Sequence, residues 1–328
     1  NQFVPGTFDL YKESDANGFN PYLSCRNVLL NNWNKEVIFV RPSASVNNMQ
    51  YDRTPYHNGY ASGVKASGAL GATQVMVDAF SMANGKLISD PSSGYVTTGY
   101  SSFKAPGDDQ ARNIFNQWVN REPRFYVNIT YDGSKWLNTS TSGTVITQLY
   151  AHGNSGAAVN NEASRTGYIV RKNVGTSDWN SGGIINVQYR LANIFLDYVE
   201  ALNESDPGNA DILNYLNQIR ARAGVPEYGS GLPAPSSQTE MRQAIRHERQ
   251  VELCFENVRY FDTRRWKIAE QTDNGVFYGL NINADLPDFL KQVPFETRVF
   301  TKRDYLFPIP QYDINNDPNL VQNTGWGK

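Results

Sequence analysis

The stretch Tyr189 to Pro226, YRLANIFLDYVEALNESDPGNADILNYLNQIRARAGVP, carries the clearest period in the chain. Leu191, Ile194, Phe195, Tyr198, Val199 and Leu202 recur at i, i+3, i+4, i+7, i+8 and i+11, while Arg190, Asn193, Asp197, Glu200 and Glu204 line the opposite face. That is an amphipathic helix with one face turned to a core. Asp206-Pro207 then supplies an N-cap followed by proline at the first helical position, Ile212, Leu216, Ile219 and Ala223 repeat on one face, and Gly224 with Pro226 stops the second helix. So short a turn lays the two helices antiparallel.

Downstream, Ser237-Gln-Thr-Glu240 has capping-box spacing, and a third helix follows through Met241, Ile245, Val251, Phe255 and Val258. Tyr305-Leu-Phe-Pro-Ile-Pro310 is too rich in proline for a helix and is expected to lie extended against the body. Upstream the period disappears. Short apolar patches such as Val37 to Val40 and Phe125 to Ile129 alternate with Ser, Gly, Asn and Thr clusters, which predicts loops and short strands, with helices only at Gln74 to Ala83 and Ala111 to Val119. Trp136 to Arg165 reads as one long surface excursion. The chain thus divides at 1–185, loop-rich, and 186–328, helical with an extended end, within one compact unit.

At 328 residues the chain can bury a substantial core without staples. Thirty Lys plus Arg against 32 Asp plus Glu leave a net charge of -2, without the basic excess that neutralises phosphates, so nucleic acid is not an expected partner. No apolar run approaches the roughly 18 residues of a membrane-spanning helix. The start, at Asn1, has no basic segment followed by an apolar one, so any targeting segment is expected to be absent or removed. Cys254 sits in a helical pattern and reads as a buried free thiol.

Of the constellations that could carry chemistry, Glu248, Glu252 and Glu256 at successive i+4 steps are the most suggestive. Two carboxylates roughly 5 to 9.5 Å apart could act as the acid and base of a glycosidase. They lie near the apolar stripe of Met241, Ile245 and Phe255, among the arginines that crowd the span Arg242 to Lys267. Half-buried carboxylates among guanidinium groups are pushed to low pKa, the wrong direction for a general acid, so ion pairing is the preferred reading. His57, His152 and His247 show no ligand spacing, and no metal or other cofactor is expected. Asp313-Ile-Asn-Asn-Asp317 begins like a calcium loop but has Pro318 where glycine must turn, and Asx turns account for it. Gly63 to Gly71 lacks the spacing of a phosphate loop.

The 41 aromatic residues, 19 of them Tyr, together with 35 Asn make a surface that stacks and hydrogen-bonds. They concentrate between Asn47 and Tyr60, a segment with no helical or strand period. A pyranose offers an apolar C–H face to a ring and hydroxyls to amides and arginine, so Tyr51, Arg53, Tyr56 and Tyr60, with Asn48 and Trp33, are the candidate ligand-binding residues. An ordinary tyrosine-rich loop packing on the body is the alternative.

Seven blocks now quoted or adjoining those quoted, Glu36 to Phe39, Val77 to Gly85, Asn120 to Tyr126, Thr166 to Lys172, Tyr189 to Leu202, Arg246 to Trp266 and Tyr305 to Trp326, resemble in order and spacing the SusD/RagB family of outer-membrane nutrient-binding lipoproteins. The resemblance implies a mainly α fold with tetratricopeptide-like helix pairs plus a large loop-rich region with short strands. It implies further pairs from a segment preceding Asn1, with the lipidated cysteine that is the family's only tie to the membrane. By this resemblance the sequence corresponds to the C-terminal three-fifths of a member, and neither Cys25 nor Cys254 fits the anchor. Members sit exposed at the cell surface on the outer membrane and hold an oligo- or polysaccharide glycan, in some cases a peptide, as a lid on a SusC-type TonB-dependent transporter, catalysing nothing. A peptide-binding lid and a glycoside hydrolase are the alternatives to glycan capture.

Overall fold

Arg190 ends a strand and begins a helix in the same residue, and the architecture is arranged around that junction. The computed structural model describes residues 6–42, 47–57, 65–137, 144–180 and 184–327. Among them run ten α-helices: α1 (Pro21–Asn27), α2 (Asn47–Arg53), α3 (Gln74–Ala79), α4 (Pro123–Asn128), α5 (Leu191–Ser205), α6 (Ala210–Arg222), α7 (Gln238–Glu252), α8 (Arg259–Arg265), α9 (Ala269–Thr272) and α10 (Gln311–Asn316). The three long ones, α5 to α7, are those the period announces.

The Asn193 side chain opens α5 by accepting from the Arg190 backbone N–H at 3.1 Å. Its buried stripe is Ala192, Asn193, Leu196, Val199 and Asn203, about one residue round from the expected face, so that Asn193 of the expected polar face is buried. Ile194 and Tyr198 stand exposed. The rotation follows from the aromatics: Phe195 and Tyr198 lean on Tyr215 of α6, ring centres 4.7 and 5.4 Å away, and so lie along the seam between the helices rather than under them. The cap of α6 is Asn209 rather than Asp206. The Asp206 N–H instead closes α5 on the Leu202 carbonyl, and Pro207 and Gly208, at φ +89°, make the turn. Gly224 ends α6 as expected, at φ +70°, with Pro21 of α1 only 2.6 Å from where a Cβ would stand.

Ser237 caps α7, its hydroxyl accepting from the Glu240 N–H at 3.2 Å, while the Glu240 carboxylate reaches Ser236. Ser237→Ala removes that acceptor; urea unfolding should show a loss of about 1 kcal/mol with unchanged m-value. The helix ends at Glu252, six residues before the expected Val258, because Phe255 and Asn257 take left-handed φ values of 61° and 63°. Those two turns swing the Glu256 carboxylate back toward α7.

Five two-stranded antiparallel sheets replace any larger sheet among the described residues, three of them within the loop-rich part and one, Gly275–Leu280 with Gln292–Arg298, beyond α9. Val37–Arg41 pairs with Asn186–Arg190, so the strand leading into α5 is held by the chain near its start. Arg112–Phe115 pairs with Tyr100–Phe103, which overturns the expected helix at 111–119: Ile114 and Phe115 go into the core from a strand, and only one turn of 3-10 helix follows at Asn116–Trp118. The expected helix at 74–83 is real but stops at Ala79, where Phe80 turns extended and fully buried into the core. The span 136–165 is no surface excursion. Of its described residues Trp136, Thr147, Leu149, Ala151, Ser155, Asn160 and Ser164 are buried, and at Gly156 a Cβ would stand 1.8 Å from the Tyr150 carbonyl. Backbone polar groups in this coil are satisfied locally, as where Asn154 Oδ1 accepts from the Gln148 N–H and its Nδ2 donates to the Ile146 carbonyl.

The segment 305–310 is irregular as expected, yet Leu306 and Phe307 are 50% and 75% exposed. What holds it is the end of the chain: Asn323 donates to the Phe307 carbonyl and Trp326 to that of Leu306. A short helix, α10, takes in Asp313 of the calcium-like stretch, and Asp317 makes an Asx turn to Asn319. Apolar burial gathers in two clusters. One, centred on Trp118, Phe125, Tyr126, Tyr131 and Tyr168, also takes in Val251, Leu280 and Phe289. The other joins α5, α6 and α7 through Leu196, Val199, Leu216, Ile219 and Ile245. Both cysteines, Cys25 and Cys254, are free and buried, and burial pushes each thiol up to about 11.

Candidate functional site

The paired carboxylates come first, because their surroundings decide whether they can do chemistry. Glu248 meets Arg124 at 2.5 Å and Arg220 at 2.9 Å. Glu252 is shared by Arg190 at 2.8 Å, Arg124 at 3.1 Å and Arg222. Glu256 takes Lys172 at 2.5 Å and Arg190 at 2.8 Å. Glu36 accepts from Arg190 at 2.5 Å and Arg222 at 2.9 Å, and Glu122 from Arg124 at 2.6 Å. Five carboxylates and five cations therefore neutralise one another, nine of the ten fully buried and Glu256 nearly so. Burial raises the Glu252 pKa, but Arg222, Arg190 and Arg124 outweigh it and hold the group well below its ordinary value. Glu248 and Glu256 are lowered by the same competition. A general acid must keep its proton near neutrality, and these groups have none to give. Among the described residues no group of three His, Cys, Asp or Glu side chains is placed to hold a metal ion.

The candidate ligand-binding residues are dispersed more than their sequence cluster implies. The segment has a helix in it, α2, whose buried side is made by Gln50 and Arg53 rather than by apolar residues. Arg53 points inward, donating to the Lys172 carbonyl at 2.7 Å and the Phe255 carbonyl at 3.3 Å, and burial lowers its pKa to about 10. Its guanidinium ties α2 to the body and is not presented to solvent. Tyr51 is half-buried; its hydroxyl donates to Glu162 at 2.9 Å, and its ring meets Trp179 edge to face at 5.1 Å. Tyr56 is also half-buried, with the Lys65 ammonium 4.1 Å from its ring centre. Trp33 is 65% exposed, carried outward by a left-handed φ of 58°. Asn48 belongs to α2, but its side chain, and the whole of Tyr60, lie outside the described residues.

Beside α2 runs a groove of 340 Å³ that the sequence reading missed, lined by Arg26, Asn27, Asn31, Gln50, Ser177 and Asp178. The end of α1 supplies Arg26 and Asn27, the turn after it Asn31, and α2 Gln50; Trp33 lies two residues beyond Asn31 and Trp179 one beyond Asp178. Arg26 and Thr176 also line an adjoining furrow of 260 Å³ whose walls include Tyr22, Tyr126, Tyr131 and Trp136. Together they present amide donors and acceptors over an aromatic wall. The only signals for this in the sequence are the asparagines at 27, 31, 32 and 34 around Trp33, and an isolated Trp179 in a polar run.

The SusD family model matches residues 35–326. This chain belongs to the SusD family. It is 32% identical over 143 residues to SusD-like protein P2 of Formosa agariphila, a match covering 42% of this chain and 25% of that protein. Its fold is similar to that of a SusD-like protein from Bacteroides fragilis, with a TM-score of 0.75 at 28% identity over 97% of this chain and 59% of the other. A SusD-like carbohydrate binding protein from the same species matches with a TM-score of 0.64 at 23% identity, over 88% of this chain and 55% of that one. The chain thus spans a quarter of the first relative's length and under three-fifths of the two solved ones. The mainly helical SusD-like fold is the expected one.

Proposed function

We propose that this chain captures an oligo- or polysaccharide at the outer face of the outer membrane and passes it to a SusC-type TonB-dependent transporter, without altering it. The observation that carries this reading is the amide-lined groove beside α2, whose lining residues neighbour in sequence Tyr51 and Trp179, which meet edge to face, and the exposed Trp33. Sugar hydroxyls would exchange hydrogen bonds with Asn27, Asn31, Gln50 and Asp178, and a C–H face would lie on an exposed ring. Family membership supports the same reading, as does the engagement of Glu248 and Glu252 in ion pairs, which removes the acid a glycosidase needs. Modest affinity suffices, since a polymer and a partner transporter raise the effective concentration at each further contact.

Isothermal calorimetry against a panel of oligosaccharides and peptides tests this. We expect at least one oligosaccharide to bind, and Tyr51→Ala and Trp33→Ala each to weaken it roughly tenfold, the worth of one ring contact of about 1.4 kcal/mol. Binding confined to peptides would replace the glycan with a peptide as cargo; release of reducing sugar from any glycan would overturn the non-catalytic assignment.

A further inference from the structure

A second cavity, larger than the groove beside α2, lies elsewhere in the described structure. It measures 590 Å³, well inside the roughly 300–1,000 Å³ of small-molecule sites, and opens between the turn that follows α3 and the helices α6 to α9. Its chemistry is one-sided. Lys86, Arg220, Arg246, Arg259 and His247 line it, against a single carboxylate, Asp90.

The arginines are held in place by the fold. Arg220 is 2% exposed and lies over Tyr228, 4.1 Å from its ring centre. Its Nε donates to the Pro226 carbonyl and its Nη1 to Glu248, which leaves Nη2 buried at the cavity wall with no acceptor. Arg246 stacks on Trp266 at 4.8 Å, with Arg259 above the same ring at 5.8 Å. Among the described residues neither makes an ion pair, and Arg246 Nε too is buried without an acceptor. The carboxylates nearest to them are already engaged: Glu200 by Arg265, Glu204 by Arg242, Asp262 by Arg249 and Arg265, Asp273 by Arg264. Lys86 donates to Ser92 rather than to an acid, and Asp90 accepts from the same serine. His247 Nε2 donates to the Ala79 carbonyl at 2.7 Å. Buried guanidinium N–H groups without acceptors are costly, and the oxygens of an oxyanion supply what they lack.

We infer that this cavity is a second ligand site, which takes an anionic substituent of a sugar, the carboxylate of a uronic acid or a sulfate ester, between Arg220, Arg246 and Arg259. The sugar rests on the carbohydrate reading above; the anion does not. Two stacked arginines over Trp266 would hold the oxygens while Lys86 and His247 close the other side.

Inorganic sulfate, D-glucuronate and neutral D-glucose, titrated while tryptophan fluorescence and heat are recorded, test the inference on the whole chain. Sulfate or glucuronate should bind, glucose should not, and added sodium chloride should weaken the binding. Binding of glucuronate alone assigns the carboxylate, of sulfate alone the ester. Arg246→Gln and Arg259→Gln, which break no ion pair, should each weaken it roughly tenfold or more, as expected for a charge-assisted hydrogen bond. Tyr51→Ala should leave it unchanged. Wild-type protein that binds neither anion overturns the inference, as does binding that survives in an Arg246→Gln/Arg259→Gln double variant with native circular dichroism. A protein that binds these anions but no neutral oligosaccharide would keep this site and refute the groove beside α2.

Discussion

Glu252→Gln should cost the protein about 3–5 kcal/mol, the loss expected when one partner of a buried ion pair is removed and the others are left charged. The side chain keeps its shape, so the effect isolates charge. Arg190, Arg222 and Arg124 all use this carboxylate, and the three come from different parts of the chain: the strand before α5, the end of α6, and α4. Arg190 and Arg124 retain other carboxylates, and Arg222 retains Glu36, so the penalty falls on a cluster left with one unbalanced positive charge. Chemical denaturation should show a lower midpoint. In the Arg222→Met/Glu252→Gln double variant the loss should be smaller than the sum of the two single losses, since the second change removes a charge the first has stranded. Equal additivity would mean that the pair does not interact through the buried cluster.

The same cluster sets the response to acid. Glu248, Glu252 and Glu256 all have folded-state pKa values below the ordinary 4.5, because the facing cations outweigh the burial that raises them. A carboxylate depressed on folding stabilises the native state fully above its unfolded pKa and loses that contribution as pH falls through the folded value. The contribution of these three groups, measured by thermal melting, should therefore be complete above 4.5 and be lost as the pH falls below it. In Glu252→Gln the drop should be shallower, since one of the three titrations is gone.

These residues also show how far the sequence could be read. The i+4 ladder of Glu248, Glu252 and Glu256 marked a row of carboxylates on one helix, and nearby arginines made ion pairing the better reading. It could not show that the main partners are Arg124, Arg190, Arg220 and Arg222, because nothing local brings them to α7. The helices α5 to α7 were legible since apolar residues repeat over several turns and capping residues bound them. Their exact faces were not, because Phe195 and Tyr198 found an aromatic partner on α6. The segment 111–119 has helical spacing in Ile114, Phe115 and Trp118, but a partner strand at Tyr100–Phe103 captured its backbone. In α2 the reverse held: its buried residues are Gln50 and Arg53, so no apolar period announced a helix. The candidate cluster between Asn47 and Tyr60 took in Tyr51, half-buried and one residue after the groove-lining Gln50, and included an arginine that is used internally. The groove itself was invisible, since it is assembled from the end of α1 and the turn after it, α2, and residues 175–178 and 184.

Trp118→Ala should be as damaging as the loss of Glu252, for a different reason. The indole is 1% exposed at the centre of a nest of rings, 5.0 Å from Tyr131, 5.4 Å from Phe115 and 6.2 Å from Tyr168. Truncation to alanine leaves a hole that rigid aromatic neighbours fill poorly, at a cost of about 3–5 kcal/mol. It also strips the Tyr168 hydroxyl of the indole N–H, leaving that hydroxyl only its bond to Gln74 of α3. The consequence reaches the surface. Tyr131 packs on Trp118 with one part of its ring and helps wall the furrow beside the groove with another, and Tyr126, whose hydroxyl donates to the Trp118 carbonyl, lines the same furrow. Loss of the indole should thus loosen the wall against which a sugar is proposed to rest. Denaturant unfolding should show the lower stability, and calorimetry under conditions where the variant is still folded should show weaker oligosaccharide binding with anion binding at Arg246 and Arg259 retained. Equal loss at both sites would mean that the damage spreads through the whole chain rather than through the aromatic nest.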